Sequence, residues 1–209
     1  GLENGLSNQK IYYIQKDRRG YMWFLTQEGV DRYDGKYIKH YNFSDDSIKL
    51  DSRIALNWLY MDSGNILWVI GQKGRIFRYD SQHDKFKLAY IHPELIRNKP
   101  QAFLNYGYLD KNDRIWLCYK DSITWYDIRT GTTLHMPTPV NGEITAIEQT
   151  DSNHFFIGTG NGLFHAGIEK GKLNIMPDKM VEGIGTSVHE LYYHAVSKQL
   201  FVGNYKEGI

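Results

Sequence analysis

Three tryptophans in this chain sit in the same local company, and their recurrence constrains the fold more than any other feature of the sequence. The segments read DRRGYMW ending at Trp23, DSGNILW at Trp68 and DKNDRIW at Trp116, and each opens on an aspartate six positions earlier: Asp17, Asp62 and Asp110. Weaker copies follow as DSNHFF around Phe156 and SKQLF at Phe201. These aromatics are 45, 48, 40 and 45 residues apart, a mean period of 44.5. Gly29, Gly74 and Gly162 stand six residues after their aromatic, Ser122 takes that place in the third copy, and Gly208 comes one place late in the fifth. Tyr-Asp recurs at Tyr33-Asp34, Tyr79-Asp80 and Tyr126-Asp127. Several marker types held in register over four or five copies identify an internal repeat.

Within one repeat the pattern reads as short strands separated by turns. In the first copy Ile11 to Lys16 is a β-rich run, Asp17 to Gly20 a turn, and Tyr21 to Thr26 a second strand. Gln27-Glu28-Gly29 turns into Val30 to Tyr33, and Asp34-Gly35 is a hairpin signal because glycine accepts positive φ without cost. Lys36 to Tyr41 then alternates polar and apolar residues, as an exposed edge strand should. No helical periodicity persists over a dozen residues, although His92 to Leu95 has the makings of a single helical turn. Four antiparallel strands every 40–48 residues predict an all-β chain of β-propeller blades. One blade cannot bury both of its faces alone, so Trp23, Trp68, Trp116, Phe156 and Phe201 are expected to pack between blades.

The repeats span roughly 5–43, 52–91, 101–137, 142–177 and 184–209, the last incomplete, so 209 residues amount to about 4.7 blades. Residues 1–10 have one strand to lend to a fifth blade that lacks two, so a closed five-bladed ring is disfavoured and the chain reads as part of a larger propeller domain. Composition agrees with a folded chain: 41% hydrophobic and 23% charged residues. The formal charge of +1 removes the electrostatic case for nucleic acid or an anionic membrane surface. No apolar run approaches the roughly 20 residues of a membrane span, and no leader pattern opens the sequence. The single cysteine, Cys118, lies in a predicted strand and reads as a buried structural thiol.

The first copy, residues 5–41, closely resembles the two-component regulator propeller repeat. The matching residues are Gly5-Leu6-Ser7, Asp17, Gly20, Trp23, Thr26, Gly29-Val30 and Arg32-Tyr33-Asp34-Gly35. The opening Leu2 to Ser7 is also similar to the start of the sensor region in hybrid two-component systems of gut Bacteroidetes. The likeness weakens along the chain, where Ser122 replaces a marker glycine and phenylalanine replaces tryptophan. The resemblance implies a seven-bladed propeller in the periplasmic sensor region of an inner-membrane histidine kinase. Such a sensor detects glycan breakdown products, switches on polysaccharide-utilisation genes, and works as a homodimer tied to the membrane through a segment further along the chain.

Catalytic signatures are not found. His189 and His194 are five apart rather than the four of the zinc-protease helix, and in a strand they point to opposite faces. Gly158 to Gly162 is rich in glycine, but Leu163-Phe164-His165 continues as strand where a phosphate loop needs a helix. Asp110 to Asp113 starts like a calcium loop, yet Arg114 holds the fifth ligand position. No cofactor and no metal are expected, and the reading is a binding module for an oligosaccharide or glycan fragment. Contacts are expected from second-to-third-strand turns and connections: Gln27, Arg53, Lys73, Tyr119, Asn161 and Tyr205. Amide, aromatic and cationic groups suit sugar hydroxyls and uronate carboxylates. A protein-interaction scaffold is the alternative, and a propeller lyase or hydrolase is a further one.

Overall fold

The structure is a computed structural model that describes residues 5–41, 43, 55–93, 103–180 and 187–204. Eighteen strands run in chain order: β1 Ile11–Lys16, β2 Met22–Thr26, β3 Gly29–Tyr33, β4 Ile38–Tyr41, β5 Leu56–Met61, β6 Leu67–Gly71, β7 Arg75–Asp80, β8 Lys85–Tyr90 and β9 Tyr106–Leu109, then β10 Arg114–Cys118, β11 Ser122–Asp127, β12 Thr133–Pro137, β13 Ile144–Gln149, β14 His154–Thr159, β15 Gly162–Glu169, β16 Lys172–Met180, β17 Val188–His194 and β18 Gln199–Asn204. They form four four-stranded sheets, β1–β4, β5–β8, β9–β12 and β13–β16, and a two-stranded sheet β17–β18, each a meander of sequential neighbours. All pairings are antiparallel. These are propeller blades, as the period predicts. The chain divides into two units, Gly1–Phe103 with the first two blades and Leu104–Ile209 with the remainder. No helix among the described residues is long and apolar enough to cross a membrane. Glu94 and Leu95 of the expected helical turn lie outside the described residues.

The marker aspartate explains its own spacing. Asp17 Oδ1 accepts the backbone N–H groups of Arg19 and Tyr21, which closes the β1–β2 turn, while Oδ2 accepts the Trp23 indole N–H at 3.0 Å. The same indole bond runs from Trp68 to Asp62 at 2.8 Å and from Trp116 to Asp110 at 2.8 Å. Asp110 is 3% exposed and also receives Arg114 Nε at 2.7 Å, so a buried carboxylate is fully partnered. Asp-x5-Trp is thus a hydrogen bond written into the sequence. The later Tyr-Asp marker caps the next turn along: Asp34, Asp80 and Asp127 each accept a backbone N–H two residues on.

Strand alternation then decides what each aromatic faces. In the first unit Trp23 and Leu25 bury against Leu59, Leu67, Val69 and Phe77 of the second blade. In the second unit Trp116 and Cys118 bury against Phe155 and Ile157 of the next blade, with Trp116 and Phe155 rings 4.9 Å apart. Cys118 is wholly buried, and burial pushes its thiol pKa up. Phe156 points to the other face of β14 and is partly buried on the cluster of Ala146, Leu163 and Val188.

Phe201 departs from expectation. It is 45% exposed, because it lies on the face of β18 opposite Leu200 and Val202, and only those two neighbours pack onto the fourth blade. A period of two cannot bury both sets against one partner.

The first unit's two blades are also tied by charge. Asp84, in the β7–β8 turn at φ 47°, accepts Lys39 Nζ at 2.6 Å, Tyr41 Oη at 2.6 Å, Tyr79 Oη at 2.5 Å and Arg32 at 2.9 Å. Partial burial works against its charge, yet the hydrogen bonds from Lys39, Tyr41 and Tyr79 and the Arg32 charge hold Asp84 well below the usual carboxylate range. Burial first, then the bond to Asp84, pushes the Tyr41 and Tyr79 hydroxyls up. Arg32 in turn stacks over Tyr21 at 4.7 Å and Trp23 at 5.4 Å.

Two outcomes follow for stability. Asp110→Ala strands the Trp116 indole and two turn N–H groups, and urea unfolding followed by tryptophan fluorescence should register a loss of about 3 kcal/mol. A loss below about 1 kcal/mol would remove the carboxylate from its anchoring role. Asp84→Asn keeps the left-handed turn residue but weakens the clasp, by about 1–2 kcal/mol after allowance for its exposure. Because the folded pKa of Asp84 is lowered, this stabilisation is present above the ordinary aspartate range of about 3.9 and drains away as pH falls below it. Denaturation midpoints of wild type and Asp84→Asn should therefore differ constantly from neutral pH down to about 5 and converge at lower pH.

Candidate functional site

The turns between second and third strands lie at one end of each blade, and they carry four of the six residues expected to make contacts. Gln27 is exposed between β2 and β3, with its backbone N–H on Lys10 O at 3.3 Å. Lys73 is half-buried between β6 and β7 in a left-handed conformation, φ 72°. Tyr119 follows β10 and is only 7% exposed, so little of its ring is offered to a ligand. Asn161 is exposed between β14 and β15, its Nδ2 3.4 Å from Asn141 O. Arg53 and Tyr205 lie outside the described residues. Within their units, no hydrogen bond joins Gln27 to Lys73 or Tyr119 to Asn161 among the described residues.

The backbone of these turns is fixed by residues the repeat marks. Thr26 Oγ1 donates to Gly29 O at 3.2 Å and accepts from Glu28 N–H; Thr159 does the same with Gly162 O and Asn161 N–H. A Cβ on Gly29 would sit 2.7 Å from Tyr41 O, at a φ of 144°, so only glycine fits that marker position. The exposed side chains between the threonine and the glycine are under no such constraint.

The sequence reading missed a buried network at this end of the first blade. Asp31, 0% exposed, accepts Ser7 N–H at 2.7 Å and Ser7 Oγ at 2.9 Å on one oxygen, and His40 Nδ1 lies 2.7 Å from the other. Ser7 Oγ also meets Thr26 Oγ1 at 2.9 Å. The carboxylate stands between serine and histidine, whereas general-base activation of a serine needs the imidazole in the middle. The network straps the segment carrying Gly5-Leu6-Ser7 onto its blade. Ser7 was visible as a marker, but nothing local to Asp31 signalled its partner 24 residues away.

Elsewhere in the second unit, burial raises the pKa of Glu148, against the Tyr193 N–H at 3.3 Å and the Lys111 charge. Burial and the Glu148 charge also raise that of Tyr108. Both flank the β13–β14 end of the fourth blade, away from Asn161. Among the described residues no group of three or more His, Cys, Asp or Glu is placed to hold a metal ion. The turns between second and third strands offer an exposed amide in each unit, Gln27 and Asn161, and the Lys73 cation in the first, groups that can hydrogen-bond a ligand.

Comparison with known proteins agrees with the repeat. Residues 5–28 match the family described as two component regulator propeller. The extracellular domain of BT3049, a proposed hybrid two component system of B. thetaiotaomicron, superposes on 100% of this chain with a TM-score of 0.72 at 23% identity. The corresponding domain of BT4673 from the same organism covers 95% with a TM-score of 0.58 at 14% identity. A catalytically inactive virginiamycin B lyase from Staphylococcus aureus, with quinupristin, covers 95% with a TM-score of 0.70 at 14% identity. The chain spans 30% of the BT3049 domain, 33% of the BT4673 domain and 65% of the lyase. No curated protein matches the sequence. Residues 5–28 carry a two component regulator propeller repeat, in a chain whose fold is that of β-propeller blades.

Proposed function

We propose that this chain is a ligand-sensing part of an extracytoplasmic propeller domain in a hybrid two-component system, and that its ligand is a glycan-derived oligosaccharide. The observation that carries the reading is the family match over residues 5–28, which include the Asp17–Trp23 anchor and Ser7, the start of the strap to Asp31. The likeness to extracellular domains of two such systems supports it at the level of fold. In this reading the domain faces the periplasm, the parent protein is a histidine kinase acting as a homodimer, and this segment recognises rather than catalyses. The proposed contacts are Gln27 and Lys73 on turns of the first unit, Tyr119, Asn161 and Tyr205 on turns of the second, and Arg53 on a connection. Rigid blades suit the role, because a sensor has to turn ligand contact into displacement of packed sheets rather than into local loop motion.

Isothermal titration of the 209-residue chain against a broad panel of plant and host oligosaccharides tests the proposal. Binding of at least one glycan is expected, and Gln27→Ala or Asn161→Ala should each weaken it about fivefold, the worth of one hydrogen bond. Both positions are exposed turn sites, so thermal stability should stay within about 0.5 kcal/mol of wild type. Silence across the panel defeats the reading, and turnover of any glycan in the same samples favours an enzyme instead.

A further inference from the structure

The first unit holds a place where a small molecule fits, at the opposite end of the blades from the β2–β3 turns. A cleft of about 230 Å³ opens between the β1–β2 turn and the β5–β6 turn, closed on one side by Tyr79 and Ser81. Its volume is below the roughly 300–1,000 Å³ of drug-sized sites and suits something the size of a single sugar ring. The two turns are locked to each other: Arg18 N–H donates to Asn65 Oδ1 at 3.0 Å, and Arg18 Nη2 donates to Ser63 O at 3.2 Å. The cleft is therefore built before any ligand arrives.

Its hydrogen-bonding capacity is lopsided. The carboxylate and amide oxygens that line it are taken: both oxygens of Asp17 receive N–H groups from Arg19, Tyr21 and Trp23, and Asn65 Oδ1 receives Arg18. The Tyr79 hydroxyl is engaged with Asp84 and Arg32. The donors are not. Among the described residues the Arg19 guanidinium and the Asn65 side-chain NH₂, which only donate, and the Tyr21 and Ser81 hydroxyls, which donate or accept, make no hydrogen bond to another side chain or to the backbone, and all four residues line the cleft. Aromatic and thioether surface from Tyr21, Tyr79 and Met61 completes the wall. A ligand that satisfies this lining brings oxygen acceptors with negative charge for Arg19, and C–H faces for the rings.

We infer that the cleft between the first two blades binds a compact carboxylated sugar, a uronic acid unit, with Arg19, Asn65 and Ser81 donating to its oxygens. This site is separate from the turn-end contacts proposed above. Its test is titration of the 209-residue chain with D-glucuronate and D-galacturonate beside D-glucose and acetate, by calorimetry and by NMR shift mapping. At least one uronate should bind in the millimolar range or tighter, about tenfold better than glucose or acetate. Arg19→Ala should cost about tenfold and Ser81→Ala about fivefold, while Lys172→Ala, a charge-matched change in the second unit, should cost nothing. Arg19 and Ser81 are exposed, so both variants keep the fold, which circular dichroism checks. Failure of both uronates to bind, equal binding of glucose or acetate, or indifference to Arg19→Ala each overturns the inference. Glycan binding that responds to Gln27→Ala but not to Arg19→Ala leaves the turn-end reading intact while removing the cleft.

Discussion

The hydrogen bond between each marker aspartate and the indole six residues later is the interaction on which the blades depend. One carboxylate oxygen collects turn N–H groups and the other collects the tryptophan, so turn geometry and ring orientation are set by a single side chain. That ring is then the surface the following blade packs on, as Trp23 and Trp116 do within their units. The fourth copy shows the coupling by losing both partners together. Phe156 has no N–H to donate, and the position six before it is Thr150, whose hydroxyl turns to His154 O at 3.2 Å instead. An aspartate retained there would have lost its indole partner, at a cost in desolvation that the threonine does not carry.

Around this bond the remaining markers take up supporting positions. Arg32 lies directly opposite Trp23 across the β2–β3 ladder and stacks over it, and Arg78 does the same with Trp68 at 6.0 Å. In the third blade the partners change places. Trp125 holds the position opposite Trp116, and the cation comes from Arg114, 4.9 Å over the Trp125 ring. The chemistry of the pair is kept while its residues move, which explains why the Arg-Tyr-Asp signature reads as Trp-Tyr-Asp in that copy.

Legibility in the sequence followed locality. Asp-x5-Trp, the turn-closing glycine and Tyr-Asp each act within six residues, so spacing alone exposes them and the blade architecture follows. The face each aromatic takes was less legible: Phe201 carries the marker position, but burial requires a sheet against that particular face, and Leu200 and Val202 hold the packed one. Asp84 was invisible, since the repeat marks its turn only at Asp80, and Arg32, Lys39 and Tyr41 lie 43–52 residues earlier. The Asp31 network escaped for the same reason. Of the expected contacts, Gln27 and Asn161 stand exposed, whereas the burial of Tyr119 depends on packing that no spacing encodes.

The repeat also limits where specificity can reside. Among the described residues the marker aspartates and the Trp23 and Trp116 rings are used by the blade itself, in a cap or a stack, and Gly29 in a close approach to Tyr41 O. Ligand chemistry is left to the positions that the repeat does not specify. In the β2–β3 turns the threonine and glycine hold the backbone, and the residues between them vary: Gln27 in the first blade, Asn161 in the fourth. At the other end the aspartate fixes the turn, and the side chains beside it vary in the same way, with Arg19 in the first blade against Ser63 and Gly64 in the second. A scaffold whose repeated side chains hold its blades rigid presents two ends whose polar groups can differ from blade to blade without cost to the fold. In the proposed reading, recognition is carried by what is unlike among the repeats, and stability by what is alike.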